Sequence, residues 1–320
     1  MPFHVERVET LDALWKLFLE FPDAYPVAGG TDILPRVNQG IEAHEMFVCL
    51  ENIKDLRGIT YLDDGSVKIG ALTKLAEIAE EKLLSEFTAL NQACSKAASP
   101  QIRNQATIGG NVLQENRCIY FNQSVSWRRA DPCFKLGGDR CYQYKGSPKC
   151  VALFQSDVAP VLMSYGADAV FVSPRGTRSV PLRSIYMEAG RKDKKKDEIL
   201  SELVIPAKKG RFRSAYARET IRGSFDFPLV SCALSFTEID HIIEEAAMVM
   251  GSAGVMPRFV AEASDLLHGL EVNNIALKLD ELKKHAARAV FPFRDSRVDT
   301  ISRKAFAQSL DEKVIKKLQA

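Results

Sequence analysis

Pro26-Val27-Ala28-Gly29-Gly30-Thr31-Asp32 is the stretch that decides how this chain folds. Tyr25 to Ala28 reads as a short strand, the two glycines as a turn, and Ile33-Leu34-Pro35-Arg36-Val37 as the start of a new element. Glycines without a Cβ let a ligand reach the backbone, and successive amide N–H groups in such a turn make a concave anion site. Thr31 and Asp32 add side-chain hydrogen bonds. A second segment of the same make-up, Thr107-Ile108-Gly109-Gly110-Asn111, lies about a hundred residues into the chain. Neither matches the nucleotide fingerprints G-x-G-x-x-G or G-x-x-x-x-G-K-[ST], and a lone Gly-Gly also serves a plain tight turn.

Around these turns the pattern is mixed helix and strand. Thr10 is placed to cap a helix over Leu11 to Phe18, and Phe47 to Leu50 reads as a buried strand. Gly58–Leu62 and Ser66–Gly70 form a hairpin about Asp63-Asp64-Gly65, and helices are predicted from Lys74 to Leu84, with Thr73 at its start, and from Thr88 to Ala98. Between 101 and 150 periodicity fails, as it does in long functional loops. A helix then runs from Ser156 to Tyr165, a hairpin joins Asp168–Val172 to Arg178–Leu182, and Glu198–Ile205 is a strand. After Pro206, strands at 212–218, 228–237 and 245–252 give way to helices at 258–267 and 276–290. The predicted division is an N-terminal α+β region at 1–207, in subdomains of about 1–55 and 56–207, and a smaller α+β domain at 211–320.

The chain has 320 residues, 46% of them hydrophobic, enough to bury a core. Lys and Arg number 43 against 41 acids, so the formal charge of +2 gives no electrostatic reason to expect nucleic acid, whose phosphates favour a strongly basic face. The dense basic run Arg191-Lys192-Asp193-Lys194-Lys195-Lys196-Asp197 reads as a solvated loop between two domains. No stretch reaches the roughly 20 apolar residues of a membrane helix, and Met1 to Glu6 lacks the basic flank and apolar core of an export signal. A cytoplasmic location with reduced thiols is therefore expected.

Four of the seven cysteines, Cys118, Cys133, Cys141 and Cys150, share the irregular stretch, with 14, 7 and 8 residues between successive members. Four thiolates are the ligand set of a [4Fe–4S] cluster. Structural zinc also takes four thiolates but usually includes one pair two to four residues apart, which is missing. Unrelated buried thiols would sit on apolar strands, as Cys49 and Cys232 do in this reading. On the residues alone, cluster, zinc and no metal all stay open. The five histidines, His4, His44, His241, His268 and His285, are scattered without metal spacing and read as surface or core residues.

The two glycine segments, the context Arg103-Asn104-Gln105-Ala106 before the second, and Arg222-Gly223-Ser224-Phe225-Asp226-Phe227-Pro228 together resemble the FAD-binding subunits of the xanthine oxidase family of molybdenum enzymes. The resemblance spans nearly the whole chain. It implies an α+β fold of the PCMH/VAO FAD-binding type, with two N-terminal subdomains enclosing FAD and a C-terminal domain of the CO dehydrogenase flavoprotein type closing over it. It assigns the FAD pyrophosphate to Ala28, Gly29, Gly30, Thr31, Asp32 and Ile33 and to Thr107, Ile108, Gly109, Gly110 and Asn111, with Asp157 as a further flavin-site residue.

Within that family the stretch 114–151 resembles the four-cysteine loop of the 4-hydroxybenzoyl-CoA reductases, which implies a [4Fe–4S] cluster on Cys118, Cys133, Cys141 and Cys150. The implied partners are a large molybdenum-cofactor subunit, a small [2Fe–2S] subunit in a dimer of heterotrimers, and ferredoxin. Electrons would pass from ferredoxin through the cluster and FAD to the partner subunits, where the phenolic hydroxyl of the thioester substrate is removed. Two alternatives stand beside it: a hydroxylating dehydrogenase with electrons flowing outward, and a zinc-stabilised nucleotide-binding assembly module. Tyr120, Phe121 and Trp127 would line a path between cluster and flavin or simply pack; Arg117, Arg128 and Arg129 would raise the cluster's potential or face water.

Overall fold

In the computed structural model, which describes residues 3–128, 131–292 and 297–319, the chain opens with β1 (His4–Arg7), α1 (Leu11–Glu20), β2 (Tyr25–Val27), α2 (Ile33–Asn38) and β3 (Met46–Cys49). Thr10 caps α1 as its position predicts, accepting from the Ala13 N–H at 3.1 Å. Helical returns carry the chain back between strands, so all three run parallel, in the order β1–β3–β2. Leu14, Val48 and Ile53 are wholly buried here and pack with Leu72 and Ile199 of the next subdomain. Each such side chain contributes roughly 1.5–3 kcal/mol, and the shared core fixes one subdomain against the other.

The second subdomain holds β4 (Ile59–Tyr61), β5 (Val67–Gly70), α3 (Leu75–Glu80), α4 (Thr88–Lys96), α5 (Pro100–Arg103), α6 (Ile108–Leu113), α7 (Val158–Ser164), β6 (Asp168–Ser173), β7 (Gly176–Pro181), β8 (Tyr186–Glu188), β9 (Arg191–Lys192) and β10 (Ile199–Ile205). Five strands form an antiparallel sheet in the order β4–β5–β10–β6–β7, while β8 and β9 make a separate ribbon. The β4–β5 turn works as its residues predict: the Asp64 carboxylate accepts from the Ser66 N–H at 2.9 Å. The helix expected over 74–84 is shorter, because Glu81 turns extended and uses its carboxylate to cap Leu83 in a separate turn at 3.0 Å. The irregular stretch conceals α5 and α6, four and six residues long, too short for a helical period to register.

The third section is β11 (Arg211–Glu219), β12 (Val230–Ile239), β13 (Ile242–Gly251), β14 (Arg258–Phe259), α8 (Ala261–Leu267), α9 (Leu279–Ala289) and α10 (Thr300–Gln319). The helix expected from Arg258 begins at Ala261, since 258–259 pairs with β13. Tyr216, Ala233 and Val249 on one sheet face join the second subdomain's core, and Cys232, Leu234 and Met250 on the other pack under α8, α9 and α10. With both faces covered, β12 is buried from Val230 to Glu238.

Sequence reading missed α10 because its buried stripe includes Arg303 and Asp311, 0% and 2% exposed, among Ala307, Leu310, Val314 and Leu318. Charges in the stripe erase the apolar period. Burial pushes the Asp311 carboxyl up to about 7, with the Cys232 thiol and the Lys283 charge offsetting part of the effect. An unfolded aspartate titrates near ~3.9, so between that value and 7 the folded state holds the extra proton. Stability from this group is therefore present at low pH and lost as pH rises through about 7, at up to about 1.4 kcal/mol per unit. Asp311→Asn is expected to raise Tm at pH 8 and flatten its fall between pH 5 and 7. An unchanged pH slope in the mutant's thermal unfolding would refute this.

Candidate functional site

The two glycine segments, far apart in sequence, meet. A Cβ on Gly29 would lie 1.9 Å from the Gln105 carbonyl oxygen, so the first turn rests on the backbone that leads into the second. Gly30 has φ +71°, a left-handed conformation that glycine adopts without cost. Thr107 caps α6, accepting from the Gly110 N–H at 3.1 Å. Together they wall a groove of about 1040 Å³ between the first and second subdomains.

Ala28, Gly29, Gly30, Thr31, Asp32, Ile33, Thr107, Gly109 and Gly110 all line the groove. Ile108 is instead wholly buried in the core, and Asn111 accepts a hydrogen bond from Ser156 outside the lining. The structure does not bring Asp157 into the groove. It is buried between domains, accepting from the Tyr216 hydroxyl at 2.6 Å and from Arg218 at 3.0 Å, and so ties the C-terminal sheet to α7. Burial outweighs the Arg218 charge and holds its carboxyl above the usual range.

The basic run at 191–197 is not the interdomain loop it was expected to be. Lys192, Lys194 and Lys196 line the groove across from the glycines. Lys192 Nζ donates to the Gln114 carbonyl at 2.9 Å and lies 5.5 Å over the Phe154 ring; burial pushes its ammonium down to about 8. Charge density masked this role, and no strand period reveals it, because β9 ends at Lys192 and the chain turns through 193–197. Tyr25 and His44, whose rings stack at 4.3 Å, also went unrecognised as groove residues, as did Arg36.

Asp32 would repel an anion but is neutralised: Arg36 pairs with it and Arg117 Nη2 donates to it at 2.8 Å. Arg117 also crosses the Phe227 ring at 4.4 Å, and Asp226 and Phe227 line a second cavity of about 240 Å³ with Arg117, Cys118 and Gln155.

The cysteine loop is pinched at its base by paired backbone hydrogen bonds between Arg117 and Leu153, of 2.8 and 3.0 Å. Cys118, Cys133, Cys141 and Cys150 line one cavity of about 10 Å³, together with Phe121, Lys135 and Gln143. Amide N–H groups of Tyr144 and Ala152 donate to the Cys141 and Cys150 sulfurs, each at 3.4 Å. Burial pushes the Cys118 thiol up to about 11 and raises that of Cys150. Four thiols with amide donors around one cavity fit a cluster in number and kind. Among the described residues, however, no three His, Cys, Asp or Glu side chains stand at metal-holding spacing. Tyr120 stacks on Tyr142 at 5.6 Å, Trp127 is 81% exposed outside both cavities, and Arg128 donates to the Gln123 carbonyl. Arg129 lies outside the described residues. No helix among the described residues is long and apolar enough to cross a membrane.

Residues 1–208 match the family described as FAD binding domain in molybdopterin dehydrogenase. The chain is 26% identical to a xanthine dehydrogenase FAD-binding subunit of Escherichia coli O157:H7, over 95% of this chain and 94% of that one. It is 31% identical to the aldehyde oxidoreductase FAD-binding subunit PaoB of Escherichia coli K12, over 72% of this chain and 76% of that one. Among solved structures, a chain of the carbon monoxide dehydrogenase from Hydrogenophaga pseudoflava superposes with TM-score 0.81 at 18% identity, covering 100% of this chain and 98% of that chain.

Proposed function

The chain belongs to the family of FAD-binding domains of molybdopterin dehydrogenases, and from that premise we propose that it is the FAD- and [4Fe–4S]-bearing electron-transfer subunit of an enzyme of the 4-hydroxybenzoyl-CoA reductase kind. As a flavin subunit of an oxidoreductase complex, it leaves the substrate to a large molybdenum subunit. A small [2Fe–2S] subunit and ferredoxin complete the proposed electron path, in a cytoplasmic dimer of heterotrimers. The observation that carries this reading is the gathering of Cys118, Cys133, Cys141 and Cys150 around one cavity beside the groove.

Bound FAD would supply an exchange between one- and two-electron chemistry, and the cluster single electrons. The chain's own task is to hold and orient them. Backbone amides of Gly29 to Asp32 would receive the pyrophosphate, and Gly109 and Gly110, whose N–H groups are held by the Ala71 carbonyl and the Thr107 hydroxyl, would let it approach the second wall closely, while Lys192 and Lys194 in the lining supply positive charge. Asp157, paired with Arg218 outside the groove, would serve the flavin site only by holding α7 against the C-terminal sheet. Because Lys192 titrates near 8, FAD affinity is expected to fall as pH rises above about 8. Lys192→Met should weaken binding about tenfold at pH 7, roughly 1.4 kcal/mol, and remove that pH dependence; fluorescence titration at several pH values checks both.

Anaerobic purification with flavin, iron and sulfide quantitation, followed by EPR after dithionite, tests the proposal. One FAD with about four irons and four sulfides per chain is expected. FAD without iron would overturn the cluster and favour the hydroxylating reading, with electrons flowing outward, for which the named xanthine and aldehyde relatives speak. One zinc per chain instead would point to an assembly module.

A further inference from the structure

Glu115 lines the groove and Cys118 the cysteine cavity, so only Asn116 and Arg117, at most about 11 Å of chain, separate the two sites. This joint is fastened on every side. Asp32, a groove residue, accepts from the Glu115 N–H at 3.0 Å and from Arg117 Nη2 at 2.8 Å. Asn116, 1% exposed, donates through its amide to the carbonyls of Ala152 and Val255, each at 2.8 Å, and accepts from the Gly190 N–H at 3.0 Å. A single side chain thus ties the far end of the cysteine loop, the C-terminal domain and the ribbon that carries Lys192. Arg117 then pairs with Leu153 through the backbone, next to Cys118.

We propose, taking FAD as the groove's ligand, that Asn116 and Arg117 are positioning residues that couple occupation of the glycine-lined groove to closure of the four-cysteine loop. A pyrophosphate held by the 29–32 turn and by Lys192 immobilises the turn from which Arg117 hangs and the ribbon whose Gly190 N–H holds Asn116. The base of the loop then opens less often, and Cys118 and Cys150 stay turned to their shared cavity. The coupling is reciprocal: whatever closes the loop tightens the hold on FAD by the same factor. Arg117 serves both ends, since it also cancels the Asp32 charge that would otherwise face the phosphates.

Full-length chain stripped of flavin and metal is treated with iodoacetamide at fixed pH, with and without saturating FAD, and alkylation of Cys118 and Cys150 is followed by peptide mass spectrometry. FAD is expected to slow both reactions about tenfold in the wild type. Arg117→Met, saturated with FAD, should lose that protection, and Arg117→Lys should regain part of it. Simple shielding by the bound flavin would protect the thiols equally in Arg117→Met, and that result overturns the coupling. Equal rates with and without FAD in the wild type overturn it too, whether or not the variants fold. A flavin titration that shows no binding removes the functional reading itself, and the coupling with it.

Discussion

Gly29→Ala is expected to leave a folded chain that no longer retains FAD. The added Cβ would sit 1.9 Å from the Gln105 carbonyl oxygen and 2.7 Å from its carbon, backbone atoms with no rotamer to change. The two glycine segments must therefore separate by more than an ångström. Overpacking of this kind costs about 1–3 kcal/mol of stability, which a chain with three hydrophobic cores survives. The groove does not, because its two walls are the segments displaced. FAD affinity should fall at least about a hundredfold, or about 2.8 kcal/mol, read as flavin-to-protein ratio after gel filtration and by fluorescence titration. Wild-type affinity in Gly29→Ala would mean that the flavin sits elsewhere.

Cys133→Ser should take iron from about four per chain to near none while FAD still binds at saturation. Cys133 is 8% exposed and lines the cysteine cavity with the other three thiols. A serine hydroxyl is a poor ligand for soft iron–sulfur iron, and three thiolates leave one iron without its protein partner. Closure of the loop base by the Arg117–Leu153 pair leaves the groove walls in place, so flavin binding weakens by no more than the roughly tenfold coupling. Iron, sulfide and flavin measured on one sample decide the matter. Loss of both cofactors from a folded mutant would make loop and groove a single unit; iron at wild-type levels would remove Cys133 from the ligand set.

Much of this architecture was legible in short-range chemistry. Thr10 marked α1, Asp63-Asp64-Gly65 marked the β4–β5 turn, and the Gly-Gly pairs marked two of the places where backbone approaches backbone. Each signal resides in a few neighbouring residues whose conformational preferences hold in any context. The elements missed depend on partners distant in sequence. α10 carries Arg303 and Asp311 on its buried face, so its helical stripe exists only once the C-terminal sheet lies beneath it. β9 is two residues of a charged run that no period of hydrophobicity could report.

By itself the sequence determined the α+β character, the two glycine turns, the four clustered thiols and the family resemblance, because residue type and spacing suffice for each. Tertiary structure alone decided that Gly29 abuts Gln105, that Lys192 and Lys194 are drawn in along the groove, and that Asp157 is paired with Arg218. It also decided that Asn116 ties three distant parts of the chain to its own segment. The physical reason is the same in every case. A charge or an amide acquires its role from the groups that desolvate and pair with it, and those groups reach it only when the chain has folded.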